Sequence, residues 1–363
     1  MNVQNEDKIS MKEYASILML CLGIKSTDSN PTLFYKSAMN AGWMLPIVSS
    51  FIVFVPLYCL MVVLRRYKDK NFIELLYHLL GRKIGFILSL IITLMAISSN
   101  ASYIRNYTDI MTTIYFRRTP VIILASMLVF SSCVMAKLGI KAIGRTAWIV
   151  MPWILLIIGS FIILVYNLIK VDYLFPLGGG GVKQILMGGV TNSAVFADLI
   201  ILSVFYPQIK NYKSFRNGSF FAFGYSVFIL SLLCAIYLMV LDYPPIVINE
   251  SPFHTVARLI FGGRFISNLE AFFFLFWIIG AIVRFSAYAY TNIELIGYTL
   301  RLKNSKKITT AVCALILMIS LVPENYIENV IIFRKLILSF SWIFIYGVPC
   351  ILLFASQRKG DYN

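Results

Sequence analysis

At 363 residues, 59% hydrophobic and 13% charged, the chain has no room for a soluble catalytic domain. Its 32 Lys and Arg against 16 Asp and Glu give a net charge of +16. The basic residues lie in short connections between apolar runs, so the charge orients the chain in a membrane and attracts anionic lipid. No nucleic-acid partner is needed to account for it.

The apolar runs predict an all-α integral membrane protein, a single transmembrane domain over 1–363, with about ten helices. They fall at 11–39 (broken), 43–64, 84–115, 120–136, 146–169, 184–206, 218–241, 265–300, 307–322 and 334–355. A bilayer core asks for about 20 mostly apolar residues per helix. Every backbone polar group inside it must be satisfied within the segment, which favours helices.

The first segment runs from Tyr14 to Ile24 and then collapses into Lys25-Ser-Thr-Asp-Ser-Asn-Pro31. Gly23 and Pro31 bracket a run that no continuous helix chooses in lipid. The sixth segment weakens at Gly188-Gly-Val-Thr-Asn-Ser-Ala194, and a helix is expected again from Val195 to Phe205, stopping at Pro207. Breaks five segments apart match two inverted five-helix repeats whose broken helices meet at the midplane. The competing reading is a simple loop end in the first segment and close-packing glycines in the sixth.

Between segments, 65–83 is partly amphipathic, and Ser251-Pro252 opens a short helix expected over 251–261. The tetraglycine of Phe175-Pro-Leu-Gly-Gly-Gly-Gly181 lacks the Lys-Ser/Thr and the strand of a phosphate loop. The N-terminus is polar before its first apolar run, unlike a cleavable signal peptide. With the N-terminus cytoplasmic, basic residues on the inner side outnumber those on the outer two to one, Lys25 being counted outside. That places both termini in the cytoplasm. The six cysteines sit in apolar segments without metal-site spacing, so no disulfide framework, metal or other cofactor is expected.

Ionisable groups at membrane depth are the functional candidates, because each is costly unless paired or hydrated. Arg284 is the sharpest. It should face a cavity or a carboxylate, with Asp198 the first choice, either as a fixed pair or as an arginine that also meets an anionic ligand group. Tyr288 shares its helix face at i+4, and Arg105 and Asp109 form a local pair by the same spacing. Glu270 and Glu294 read as interfacial. The two histidines, His78 and His254, lie far apart, and no serine-elbow, zinc or nucleotide motif appears, so the chain is not read as an enzyme.

Taken together, the motifs resemble the B-subunit family of GerA-type spore germinant receptors, within the amino acid-polyamine-organocation superfamily. The resemblance runs through Ile9-Ser-Met-Lys-Glu13, Leu22-Gly23, Gly81-Arg-Lys-Ile-Gly85 and Tyr103-Ile-Arg105. It continues with Arg118-Thr-Pro120, Gly139-Ile140 to Arg145, Phe175-Pro-Leu-Gly178, Pro207 and Glu270 to Trp277. It implies an inverted-repeat fold with a nutrient pocket lined by helices one, three, six and eight. The matching positions are Gly23, Ser99, Ala197 with Asp198, and Arg284 with Tyr288. Lys25, at the first break, joins the ligand-binding candidates; it and Arg284 replace small residues usual in the family, and the resemblance implies that either can take the place of a sodium ion held by related transporters. Ser267-Asn268 replaces a usual Glu-Arg pair.

The function so implied is nutrient sensing in the inner membrane of the spore. It implies an amino acid-like ligand and a complex with a receptor A subunit and a lipoprotein C subunit. An amino acid permease of the same superfamily is the alternative, and a membrane enzyme a distant third.

Overall fold

In the computed structural model, which describes residues 8–260, 269–325 and 328–358, the described residues are almost wholly helical. The helices are α1 (Met11–Gly23), α2 (Asn30–Ala38), α3 (Leu45–Arg66), α4 (Phe72–Leu80), α5 (Arg82–Ile110), α6 (Val121–Leu138), α7 (Ile140–Val165) and α8 (Val182–Asn192). They continue with α9 (Asp198–Ile201), α10 (Tyr212–Leu241), α11 (Pro245–Ile248), α12 (Pro252–Leu259), α13 (Leu269–Thr299), α14 (Thr309–Ser320) and α15 (Lys335–Arg358). They make ten passes in a five-plus-five inverted repeat, with α1–α2 the broken first pass and α8–α9 the broken sixth.

Seven helical stretches among the described residues are long and apolar enough to cross a membrane. Large apolar side chains such as Phe51, Phe130, Ile149, Leu156 and Ile163 are exposed on the outside of the bundle. An apolar surface of this kind, on stretches long enough to span a bilayer, suits lipid, and the chain is an integral membrane protein.

Local chemistry sets the helix ends. Ser10 caps α1 in a capping box with Glu13, and Asn71 caps α4 in the same way with Glu74. Helix α4 is the amphipathic part of the interval 65–83, and α12 occupies the place of the Ser-Pro signal. The end of the bundle where α1 begins is tied by backbone bonds: Ile9 N–H donates to Gln208 O at 2.9 Å and Lys210 N–H to Ile9 O at 3.2 Å. At the opposite end, Asn40 Nδ2 donates to the Tyr173 and Phe175 carbonyls, both at 3.0 Å.

Helix α1 packs against α10, α7 and α13, and α13 packs in turn against α5, α6 and α7. A Cβ at Gly218 would meet Tyr14 Cδ1 at 2.9 Å, so glycine there lets α10 approach α1. The Tyr14 and Ser219 hydroxyls bond at 3.1 Å across the same crossing. These contacts hold the first pass in the centre of the bundle, where its break is enclosed by helices rather than lipid.

The sixth pass departs from expectation after its break. Residues Ser193–Phe196 form a tight 3-10 turn, α9 is only one α-helical turn, and Leu202–Gln208 is again 3-10, where an α-helix from Val195 to Phe205 was expected. Ser193 Oγ donates to Val190 O at 2.6 Å and Ser203 Oγ to Ile200 O at 2.5 Å. Such i−3 bonds from serine compete with the regular ladder and favour the tighter turn.

Candidate ligand site between the helix breaks

The first break is built by short polar side chains. Ser26 Oγ donates to Gly23 O at 2.8 Å and Thr27 Oγ1 to Ile24 O at 2.6 Å, satisfying carbonyls left at the end of α1. Asp28 Oδ1 then accepts from Asn30 N at 2.8 Å and from Asn30 Nδ2 at 2.6 Å, an Asx turn that starts α2 with Pro31 in its first turn. All of Lys25–Thr32 is buried. The backbone leaves the helix in the core of the protein, and two ionisable side chains go with it.

Lys25 is 1% exposed. Its ammonium lies 2.6 Å from Asp198 Oδ2 and donates to Val195 O at 2.6 Å, spanning from the first break to the sixth. Tyr288 of α13 donates its hydroxyl to the same Asp198 oxygen at 2.5 Å. The Tyr103 ring of α5 stacks on Tyr288 with centroids 6.4 Å apart and lies 5.3 Å from the Lys25 ammonium. Four passes therefore meet around one carboxylate.

Arg284 is fully buried and sits beside this group in an aromatic box. Its guanidinium lies 4.3 Å from the Tyr103 ring centre and 5.4 Å from that of Tyr288. Nη1 donates to Tyr107 Oη at 2.9 Å and stands 3.7 Å from Asp28 Oδ2. Tyr107 is held by a parallel stack on Trp277, centroids 4.5 Å apart, and Trp277 Nε1 donates to Thr27 Oγ1 at 3.0 Å. Arg284 Nε, Arg284 Nη2 and Asp28 Oδ2 are buried without a hydrogen-bond partner. Buried charged groups with unused donors and acceptors are uncommon, because each forgoes a hydrogen bond it would make in water.

Two cavities lie against residues packed around this centre. An apolar one of about 40 Å³ lies against Gly23, Ser26, Thr27, Ile154, Tyr225 and Trp277. A second, of about 20 Å³, is lined by Ser99, Asn100, Tyr103, Asp198, Tyr288 and Asn292. Volumes of this size hold one to three waters and no larger molecule, so the site is in a closed conformation.

The structure separates the expected site residues into groups. Lys25, Asp198, Arg284 and Tyr288 converge on the centre. Gly23 lines the apolar cavity and Ser99 the other; Ala197 lies buried one residue before Asp198, at the start of α9. Arg284 does not take Asp198 as its partner. Asp198 takes Lys25 and Tyr288 on its Oδ2, and the carboxylate near Arg284 is Asp28. Lys25 belongs to the core and not to the outer set of basic residues.

Asp28, Tyr103, Tyr107 and Trp277 were not among the sequence candidates. Tyr103 and Tyr107 stand at i, i+4 on α5, which is the one signal that marks them. The expected pair on α5 is present, with Arg105 Nε donating to Asp109 Oδ1 at 2.8 Å. Arg264, Ser267 and Asn268, and the side chain of Glu270, lie outside the described residues.

The fold, with a buried polar centre between two helix breaks, is that of inverted-repeat membrane transporters. Three solved structures share it. A Na+-coupled sialic acid symporter in a substrate-bound outward-open state has a TM-score of 0.65 at 12% identity, covering 96% of this chain and 80% of the symporter. A nucleobase-cation-symport-1 family transporter, closed with bromovinylhydantoin bound, has 0.63 at 14% identity, covering 99% and 82%. MhsT in complex with L-phenylalanine has 0.63 at 11% identity, covering 96% and 97%.

Residues 8–328 match the Spore_permease family, described as spore germination protein, and the chain belongs to that family. It is 24% identical over 261 residues to Spore germination protein KB of Bacillus subtilis (strain 168), 70% of each chain. It is 27% identical over 139 residues to the putative spore germination protein YfkT of the same organism, covering 38% of this chain and 37% of YfkT.

Proposed function

We propose that this protein is the nutrient-sensing subunit of a spore germination receptor, binding a small amino acid-like ligand between the helix breaks and triggering germination. The observation that carries the reading is the Asp28–Arg284 pair. It offers two free guanidinium donors and one free carboxylate oxygen, all buried, 3.7 Å apart at the closest charged atoms. A ligand carboxylate fits the planar donor edge of Arg284, and a ligand ammonium fits Asp28 Oδ2. The apolar cavity at Gly23 lies next to Thr27 and Trp277, where an apolar side chain of the ligand would go. Since the closed site is too small for such a ligand, binding and conformational change are linked.

Family membership supports a wider reading. The chain forms a single transmembrane domain in the inner membrane of the spore, with both termini cytoplasmic. It works with a receptor A subunit and a lipoprotein C subunit, has no enzymatic activity and uses no cofactor. Spores lacking this gene, tested against a panel of amino acids and other nutrients, should lose the response to at least one. Full response to the whole panel would set the reading aside.

A second reading, an amino acid permease, is favoured by the fold shared with MhsT holding L-phenylalanine. Uptake of labelled amino acid into proteoliposomes containing only this chain separates the two: accumulation supports the permease, binding without accumulation the receptor.

A further inference from the structure

The acceptors that hold Lys25 form a recognisable set. A backbone carbonyl (Val195), a carboxylate oxygen (Asp198) and an aromatic ring (Tyr103) surround one buried ammonium at 2.6 Å, 2.6 Å and 5.3 Å. Each of these groups attracts a primary ammonium, which has three donors and no acceptor. The carbonyl and the carboxylate belong to the broken sixth pass. The ammonium arrives from the broken first pass on the four-carbon stem of Lys25. The second donor to Asp198, the Tyr288 hydroxyl, comes from α13 and orients the carboxylate.

We infer that this acceptor set is a cation-binding site of primary-ammonium type which the chain fills with its own Lys25. The two halves of the repeat are thus held together at their breaks by a tethered cation, and the native protein needs no free cation there. The inference goes beyond the nutrient reading, which rests on Arg284 and Asp28, and its test requires no nutrient.

Shortening the side chain vacates the site without removing its acceptors. Lys25→Ala leaves a buried carboxylate, a carbonyl and a ring face, with room where the stem lay for ethylammonium. The purified full chain in detergent is followed by thermal unfolding with ethylammonium, with tetramethylammonium at equal ionic strength, and with neither. The native protein should show the same midpoint in all three. Lys25→Ala should unfold at lower temperature and regain at least half of the lost midpoint with ethylammonium, rising with the logarithm of its concentration as a site-specific ligand requires. Tetramethylammonium has no N–H donor and should restore nothing. In Lys25→Ala with Asp198→Asn the ethylammonium effect should disappear.

If Lys25→Ala does not survive purification, the protein is prepared throughout in ethylammonium and then dialysed. Folding with the amine and unfolding on its removal supports the site. Failure to fold even with the amine overturns it, as does equal restoration by the two cations or a Lys25→Ala midpoint that ethylammonium does not move. A positive result here, together with a full nutrient response in spores lacking the gene, would sink the sensing reading and leave this one standing.

Discussion

Removing the Arg284 guanidinium leaves Asp28 as an uncompensated carboxylate in a region with no exposure to water. At the 3.7 Å separation and an effective dielectric of about 20, the direct attraction is about 4.5 kcal/mol. Breaking a buried pair by deleting one partner typically destabilises by about 3–5 kcal/mol. Arg284→Ala should therefore lose about that much in reversible unfolding of the detergent-solubilised protein, and lose also the Tyr107 bond. Asp28→Asn keeps the Oδ1 acceptor that Asn30 uses, so its own loss comes mainly from the orphaned guanidinium. In the double variant neither charge remains, and the combined loss should fall short of the sum by about 2 kcal/mol or more, within the range seen for contacting pairs. The same cycle with Asp198→Asn should show a coupling smaller by at least about 1 kcal/mol, because that carboxylate pairs with Lys25 and Asp28 is the one beside Arg284. Additive losses for Arg284 and Asp28, or a larger coupling to Asp198, would refute the assignment of the pair.

Tyr288→Phe removes one hydrogen bond to an ionised carboxylate, and unfolding should show a loss of about 1.5–3 kcal/mol. His254 of α12 bonds Tyr115 through Nδ1 at 2.9 Å, and burial, helped by nearby Arg258, lowers its pKa to about 3. The unfolded chain binds that proton first, so stability should fall as pH drops below the ordinary 6.5, by about 2 kcal/mol near pH 5. His254→Phe should flatten that dependence in unfolding measured across pH. Gly23→Leu should crowd Tyr225, whose ring carbon lies 3.1 Å from the added Cβ position, and fill the apolar cavity. Spores with normal levels of this variant should need more nutrient to respond. Labelling of single cysteines in a cysteine-free background, applied from outside, should reach 178–181 and miss position 68.

The passes were legible because lipid imposes a length and an apolar surface that few sequences meet by accident. The first break was legible for a related reason: Lys25 to Pro31 is too polar for a lipid-facing helix. In the sixth pass Gly188 and Gly189 lie within α8, close against Leu45 and Val48, and the helix breaks after them at Ser193. The pairing inside the breaks was not legible. Whether Arg284 meets Asp28 or Asp198 depends on where the Asx turn at Asp28 and the 3-10 turn at Ser193–Phe196 aim the two carboxylates. No spacing in the sequence fixes those directions. Lys25 carried two readings, an outer basic charge and a ligand-site residue, and the sequence did not choose between them. Its fit to Val195 and Asp198, 170 and more positions away in the chain, places it in the core. The 3-10 course of Leu202–Gln208 was missed because apolar composition alone does not distinguish it from an α-helix.

The central claim is that the buried Asp28–Arg284 pair receives the nutrient, and germination dose response tests it most directly. Spores carrying Arg284→Lys at native protein levels keep the charge but lose the planar fork. The nutrient concentration for half-maximal loss of refractility should rise about tenfold or more, in keeping with the loss of a charge-assisted bond. An unchanged half-maximal concentration, with the response to every nutrient intact, would contradict the account and remove Arg284 from the ligand site.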